Sequence, residues 1–125
     1  MRLQKSKDIT SEAADPKTFM GNASLQRLLL EPEVKVYRVS FEPGARMNWH
    51  SHDGIQLLVI LEGVCWVQKR SEAKQEARAG DVVMIQPGEE HWHGASHSEG
   101  MVHLAINLGS KTTWGERVLD EDYSS

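Results

Sequence analysis

The sequence predicts an all-β domain, a sandwich or small barrel with one short helix near its C-terminus, and three observations carry that prediction. Short apolar runs recur at close spacing along most of the chain, separated by turns rich in Gly, Pro and Asp. Only one segment, close to the end, has a helix-like start. There is no strand-helix-strand alternation and no repeat of fixed length, so neither a parallel sheet nor a solenoid fits.

Taken in order, residues 1–17 are polar, carry Ser6, Thr10, Ser11 and Pro16, and show no sustained period. They read as a flexible N-terminal arm, which leaves 18–125 as a single barrel domain. Residues 19–30 (FMGNASLQRLLL) partly alternate and stop at Glu31-Pro32, which predicts one strand, although 28–30 would also suit a short helix. Residues 34–41 (VKVYRVSF) alternate clearly, and Glu42-Pro43-Gly44 turns the chain. Residues 55–61 are almost continuously apolar, the pattern of a strand covered on both faces; Glu62-Gly63 is expected to turn it into a separate strand at 64–69. The charged run 70–78 reads as a solvated hairpin, and Gly80-Asp81 and Pro87-Gly88 bracket a strand at 82–85. In 101–108 (MVHLAINL) an apolar face of Val102, Leu104, Ile106 and Leu108 lies opposite Met101, His103, Ala105 and Asn107, as expected of a pocket-lining strand. Thr113 to Glu116 has capping-box spacing, with Trp114 and Val118 one turn apart, so the short helix is expected there, weakened by Gly115.

Composition narrows the function. With 125 residues, 39% apolar and 26% charged, the chain can bury a substantial core. A net charge of -4 without any basic run argues against a nucleic-acid partner, which demands a basic face. No long apolar span or leader-like stretch is present, so no membrane role is expected and the cytoplasm is the expected location. The single cysteine, Cys65, lies between Val64 and Trp66 with no adjoining basic residue, and reads as a small hydrophobe and not a nucleophile.

The histidines carry the chemistry. Five of the six fall on strand-like segments, and His97 lies in a loop, where it reads as solvated. His50 and His52 are two apart, as are His91 and His93, and side chains two apart on a strand share a face. Trp92 therefore points away, into a core. Any one of these histidines alone would be an ordinary half-buried residue. Two H-x-H pairs beside glycine turns, with Gln56 just after Asp53-Gly54, point instead to a metal site.

These residues resemble the cupin family. The first cupin motif, G-x5-H-x-H-x3-E-x6-G, is matched at Gly44, His50, His52 and Gly63, with Gln56 in the usual Glu position. The second, G-x5-P-x-G-x2-H-x3-N, is matched at Gly80, Gly88 and His91, with Gln86 at the usual Pro and Ala95 at the usual Asn. The resemblance implies a cupin jelly-roll β-barrel (a double-stranded β-helix) and a metal held by His50, His52, Gln56 and His91. The strings FEPGAR (41–46), WHSH (49–52), GDVV (80–83), PGEEHWHGA (87–95) and HLAI (103–106) are similar to small bacterial cupins that include manganese-dependent hydroxynitrile lyases. In that family histidines matching His93 and His103 line the pocket beside the metal.

The chemistry of this set is consistent. Three neutral imidazoles and an amide leave the charge of a divalent ion uncompensated, which makes a strong Lewis acid. The donors suit manganese, the metal the resemblance favours, and equally iron, zinc, nickel or cobalt. The expected reaction is a lyase step of the hydroxynitrile-lyase type: the metal acidifies a substrate hydroxyl, His93 or His103 takes its proton as general base, and a carbon–carbon bond breaks. Tyr37, Val39, Met47, Trp49 and Asn107 are candidates to shape the pocket. The same site would suit a cupin acting on unsaturated uronates, a metal-dependent dioxygenase, or a small-molecule-binding cupin without catalysis. Outward apolar faces predict a homodimer or a higher homo-oligomer.

Overall fold

Alternation of apolar and polar residues gives each strand one face to bury, and the computed structural model, which describes residues 1–109 and 111–125, closes those faces into a jelly-roll barrel. Among the described residues the strands are β1 (Glu12–Ala13), β2 (Phe19–Met20), β3 (Ala23–Leu30), β4 (Lys35–Phe41), β5 (Arg46–Met47), β6 (His50–His52), β7 (Gln56–Lys69), β8 (Gln75–Arg78), β9 (Val82–Ile85), β10 (His91–Ala95), β11 (Met101–Asn107) and β12 (Thr112–Trp114). A single-turn helix, α1 (Asp120–Ser124), follows them. One sheet runs β1-β3-β4-β11-β7-β9; the other holds β2-β5-β10-β7-β8, with β6 between β10 and β12.

Strand β7 belongs to both sheets. Its first half pairs with β9 and β11, its second with β8 and β10. The turn expected at Glu62-Gly63 is instead a kink in one continuous strand. Gly63 takes φ +76, and a Cβ there would lie 1.9 Å from the Gly100 carbonyl oxygen, so only glycine lets β11 pass. A bulge beside it shifts the β7–β11 register by one residue between Val102 and His103. Beyond the shift His103 sits opposite Ile60 and Asn107 opposite Gln56. Because one residue of slip exchanges the faces, this bulge decides that Gln56, Leu58 and Ile60 point inward with His103, Ala105 and Asn107.

Other expectations change for equally local reasons. The strand expected over 19–30 breaks at Gly21, whose φ of +80 separates β2 from β3. The run 55–61 is covered on one face only: Leu57 and Val59 are half-buried and Leu61 is 37% exposed. The capping-box segment is a strand, since Thr112, Thr113 and Trp114 pair with His52, Ser51 and His50, and the helix begins six residues after Trp114. Two β-branched residues followed by Gly115 favour that outcome, and Glu116, the intended capping partner, pairs with Arg70 instead. Within 1–17, the chain makes a 3-10 turn at Ser6–Asp8 and pairs Glu12 and Ala13 with Leu25 and Ser24 of β3. Gln26 Nε2 donates to the Ser6 and Ile9 carbonyls, both at 2.9 Å.

The barrel interior holds Phe19, Val39, Phe41, Leu58, Ile60, Cys65, Ile85 and Met101. Burial pushes the Cys65 thiol up to about 12, so it stays protonated and inert, as its sequence context predicted. A second cluster, Trp49, Trp92, Val118 and Tyr123, packs under α1, with Trp92 fully buried as expected. Tyr123 Oη donates to the Ala95 carbonyl at 2.6 Å, and the buried Arg46 donates to the Val118 carbonyl while its guanidinium lies 4.2 Å from the Tyr123 ring centre. The C-terminal segment is thus tied to β10, the strand that carries two of the histidines. No helix among the described residues is long and apolar enough to cross a membrane.

Gly94 offers a direct check on this packing. A Cβ there would meet the Ala45 carbonyl oxygen at 2.4 Å and Arg46 Cα at 2.6 Å, and backbone cannot swing aside. Gly94→Ala should lower stability by about 2 kcal/mol or more in urea unfolding. Gly88→Ala, where φ is +79 but space is open, should cost only about 1 kcal/mol.

Candidate metal centre

Three strands, β6, β10 and the start of β7, aim polar side chains at one region inside the barrel. β6 and β10 are antiparallel neighbours with His50 opposite His91, so the two H-x-H pairs share one face of the sheet and meet at that point. The rings of His50 and His91 lie 4.3 Å apart between centroids, His50 and His52 5.0 Å, and His52 and His91 5.4 Å. His93 joins them: nitrogens of His50, His91 and His93 all fall within 4.8 Å of one another, a grouping that could hold a metal ion. Gln56, at the start of β7, places Oε1 3.2 Å from His91 Nε2.

The hydrogen bonds decide which nitrogens are free. His50 Nδ1 lies 2.7 Å from the Asn48 carbonyl oxygen and His91 Nδ1 2.8 Å from that of Glu89. A carbonyl can only accept, so both Nδ1 atoms carry the proton and both Nε2 atoms present a lone pair. His52 Nδ1 is 3.0 Å from Thr112 Oγ1, and the Nε2 atoms of His50, His52 and His93 are buried with no hydrogen-bond partner. Buried lone pairs without donors are unfavourable unless a cation fills the space they share. At His91 the case is sharper, since its lone pair faces the oxygen of an amide whose nitrogen is already bound to Asn107 Oδ1 at 2.8 Å. These residues fit a divalent ion.

A cavity of about 440 Å³, within the usual range for small-molecule sites, opens beside the cluster. Its wall includes His52, Gln56, His93 and His103, together with Tyr37, Val39, Met47 and Asn107.

The cupin-domain profile matches residues 37–107, the stretch that contains all these histidines. The chain belongs to the cupin family. It is 41% identical over 111 residues to the (R)-mandelonitrile lyase of Granulicella tundricola, which covers 84% of this chain and 85% of that protein. A cupin-like protein from Thermotoga maritima superposes with a TM-score of 0.86 at 33% identity, over 98% of this chain and 93% of that one. A predicted oxalate decarboxylase from the same organism gives 0.77 at 22% identity, over 86% and 98%, and attests the fold alone.

In this cupin the pocket candidates Tyr37, Val39, Met47 and Asn107 line the cavity, and Trp49 does not. Trp49 adjoins His50 on an extended backbone, so it points the other way and packs with Trp92 and Val118, while Arg70 covers its ring at 3.9 Å. Trp114 takes the position beside the histidines, 4.8 Å from the His50 ring and on the cavity wall. It escaped notice because its segment was read as helix; the β-branched pair before it was the available signal. Thr112, which holds His52, lies in the same segment; Glu12 belongs to the stretch expected to be a flexible arm, and Arg27 lies in an expected strand whose weak alternation does not say which side chains face the cavity. His93 Nδ1 lies 3.0 Å from His103 Nε2, so the two form a fully buried pair. His97, exposed as expected, leans edge-on against Trp66.

Burial holds all five interior imidazoles below their ordinary pKa. For His91 and His103 the shift runs from 6.5 to about 4; for His50 and His93, desolvation and neighbouring imidazoles push the value well down; His52 is lowered mainly by desolvation. A lowered folded-state pKa means the unfolded chain binds more protons, so stability rises with pH across the window. The metal-free protein should therefore keep full stability above pH 6.5 and lose it as the pH falls toward 4, with His91 alone costing about 3 kcal/mol by pH 4. Denaturant unfolding of the chelated protein at pH 7, 5.5 and 4.5 measures this loss.

Proposed function

We propose that this cupin is a metal-dependent lyase of the hydroxynitrile-lyase type, acting on a small cyanohydrin or related hydroxy compound. The observation that carries the reading is the buried His93–His103 pair, whose His93 converges with His50 and His91, in a chain 41% identical to a mandelonitrile lyase. His50, His52, Gln56 and His91 would hold a divalent transition-metal ion, manganese by preference, whose Lewis acidity lowers the pKa of a nearby hydroxyl. His93, neutral at pH 7 because it is buried, accepts the hydroxyl proton at Nε2, the nitrogen without a partner. His103 holds the ring from the other side, its Nε2 accepting from His93 Nδ1–H at 3.0 Å. The electron pair left on oxygen forms the carbonyl as the bond to the nitrile carbon breaks, and the departing cyanide recovers the proton from His93. Tyr37, Val39 and Met47 supply the apolar wall for the organic group.

A second reading, action on unsaturated uronates, is favoured by one observation. Arg27 lines the cavity and spends only Nε, at 2.7 Å, on Glu12, so its remaining donors suit a substrate carboxylate.

Mandelonitrile cleavage by metal-loaded and chelated protein tests the first reading. Chelation should abolish cleavage, and His93→Ala should retain metal while lowering kcat by about 100-fold or more. Metal retained at full occupancy in a His50→Ala, His52→Ala double variant would sink the ligand assignment. Turnover of an unsaturated uronate without mandelonitrile cleavage would favour the second reading.

The chain is also proposed to act as a homodimer. Val36, Leu57, Val59, Leu104 and Ile106 adjoin through the β4–β11–β7 register on the outward face, and Val82 and Met84 of β9 extend it at 61% and 57% exposure. Sedimentation equilibrium should give twice the 14.1 kDa chain mass, and Leu104→Arg should return it to one.

A further inference from the structure

We infer that Asn107 is a positioning residue that keeps the Gln56 amide turned with its oxygen toward the metal site. The inference rests on Gln56 being a ligand, as the proposed function has it. Gln56 and Asn107 are directly opposed across β7 and β11, a pairing that the bulge at Val102–His103 creates. Both residues are buried, at 3% and 9% exposure, and both lie on the cavity wall.

An amide has two unlike ends, and its neighbours choose between them. On one side of Gln56 lies His91 Nε2, 3.2 Å away, a lone pair because Nδ1 gives its proton to the Glu89 carbonyl. Left to itself, the amide would turn so that its NH2 donated to that lone pair. The turned state makes a good hydrogen bond, removes a ligand oxygen and ties up a ligand nitrogen, so it closes the site to a cation. Asn107 Oδ1 opposes the turn: it accepts from Gln56 Nε2 at 2.8 Å, so Gln56 cannot turn without setting oxygen against oxygen unless Asn107 turns with it. Two acceptors are thereby held face to face at His91 and Gln56, an arrangement that a cation between them relieves.

The consequences separate orientation from packing. Asn107→Ala frees the amide to turn, and Mn(II) affinity should fall about 10- to 100-fold, the range typical for lost supports of metal ligands. Asn107→Asp keeps an acceptor in place and should bind Mn(II) at least as well as wild type. In a Gln56→Glu background the ligand has two oxygens and no wrong end, so adding Asn107→Ala should change affinity less than about 3-fold.

Affinity is read from the signal of free Mn(II) during titration, and a second measurement needs no metal. In chelated protein the His91 Nε2 nitrogen shift should move upfield in Asn107→Ala, where it gains a donor, and stay at the wild-type value in Asn107→Asp. Unchanged affinity and unchanged shift in Asn107→Ala would overturn the inference, as would an equal loss in the Gln56→Glu background. Wild-type protein that binds no Mn(II) would defeat the metal reading instead, and the shift measurement would still decide the orientation.

Discussion

Unpaired imidazole nitrogens gathered inside the barrel are the constraint around which it is built. Four ring nitrogens, on His50, His52, His93 and His103, are buried without partners. Each such group costs about 1–3 kcal/mol, against a total stability of about 5–15 kcal/mol for a domain of ordinary size. The fold therefore has to hold them against relaxation. It does so with backbone: the Asn48 and Glu89 carbonyls fix two tautomers, and antiparallel pairing of β6 with β10 fixes the distance between their rings. The second core, where Arg46 and Tyr123 bind the C-terminal segment to the end of β10, stiffens the same strand from outside. An ion that binds only the folded site offsets the cost, which couples stability to metal.

That constraint explains which parts of the molecule were legible in the sequence. The histidine placement was, because a period of two on a strand is short-range information: H-x-H at 50–52 and 91–93, and the His103 and Asn107 face of β11, all turned inward as read. Cys65 and Trp92 followed from their neighbours in the same way. What escaped depends on contacts far apart in the chain. Nothing near Thr113 announces that its segment pairs with the histidine strand, and a capping-box pattern is common enough to mislead there. Gly63 looks like a turn residue until β11 is known to cross it; the close approach of Gly100, not local preference, makes it a kink. Trp49 was misplaced by proximity to His50 in sequence, although alternation already assigned it to the other face.

Gln56, which stands at the customary Glu position, and Asn107 on the facing strand are best understood together. A carboxylate would bring a compensating charge to the site, and either of its oxygens would serve. An amide brings no charge, so the proposed set of three imidazoles and Gln56 would leave a divalent ion at its full +2, a stronger field for an oxyanion. The gain comes with an ambiguity that the carboxylate lacks, because one end of the amide is a donor that competes with the metal for His91. An acceptor at the far end removes that ambiguity, and the β7–β11 bulge places the Asn107 carbonyl oxygen there. A backbone irregularity at Val102–His103 thereby reaches the chemistry four residues away: without the one-residue shift, Gln56 and Asn107 would not be opposed, and the more acidic site would lack the contact that keeps it open.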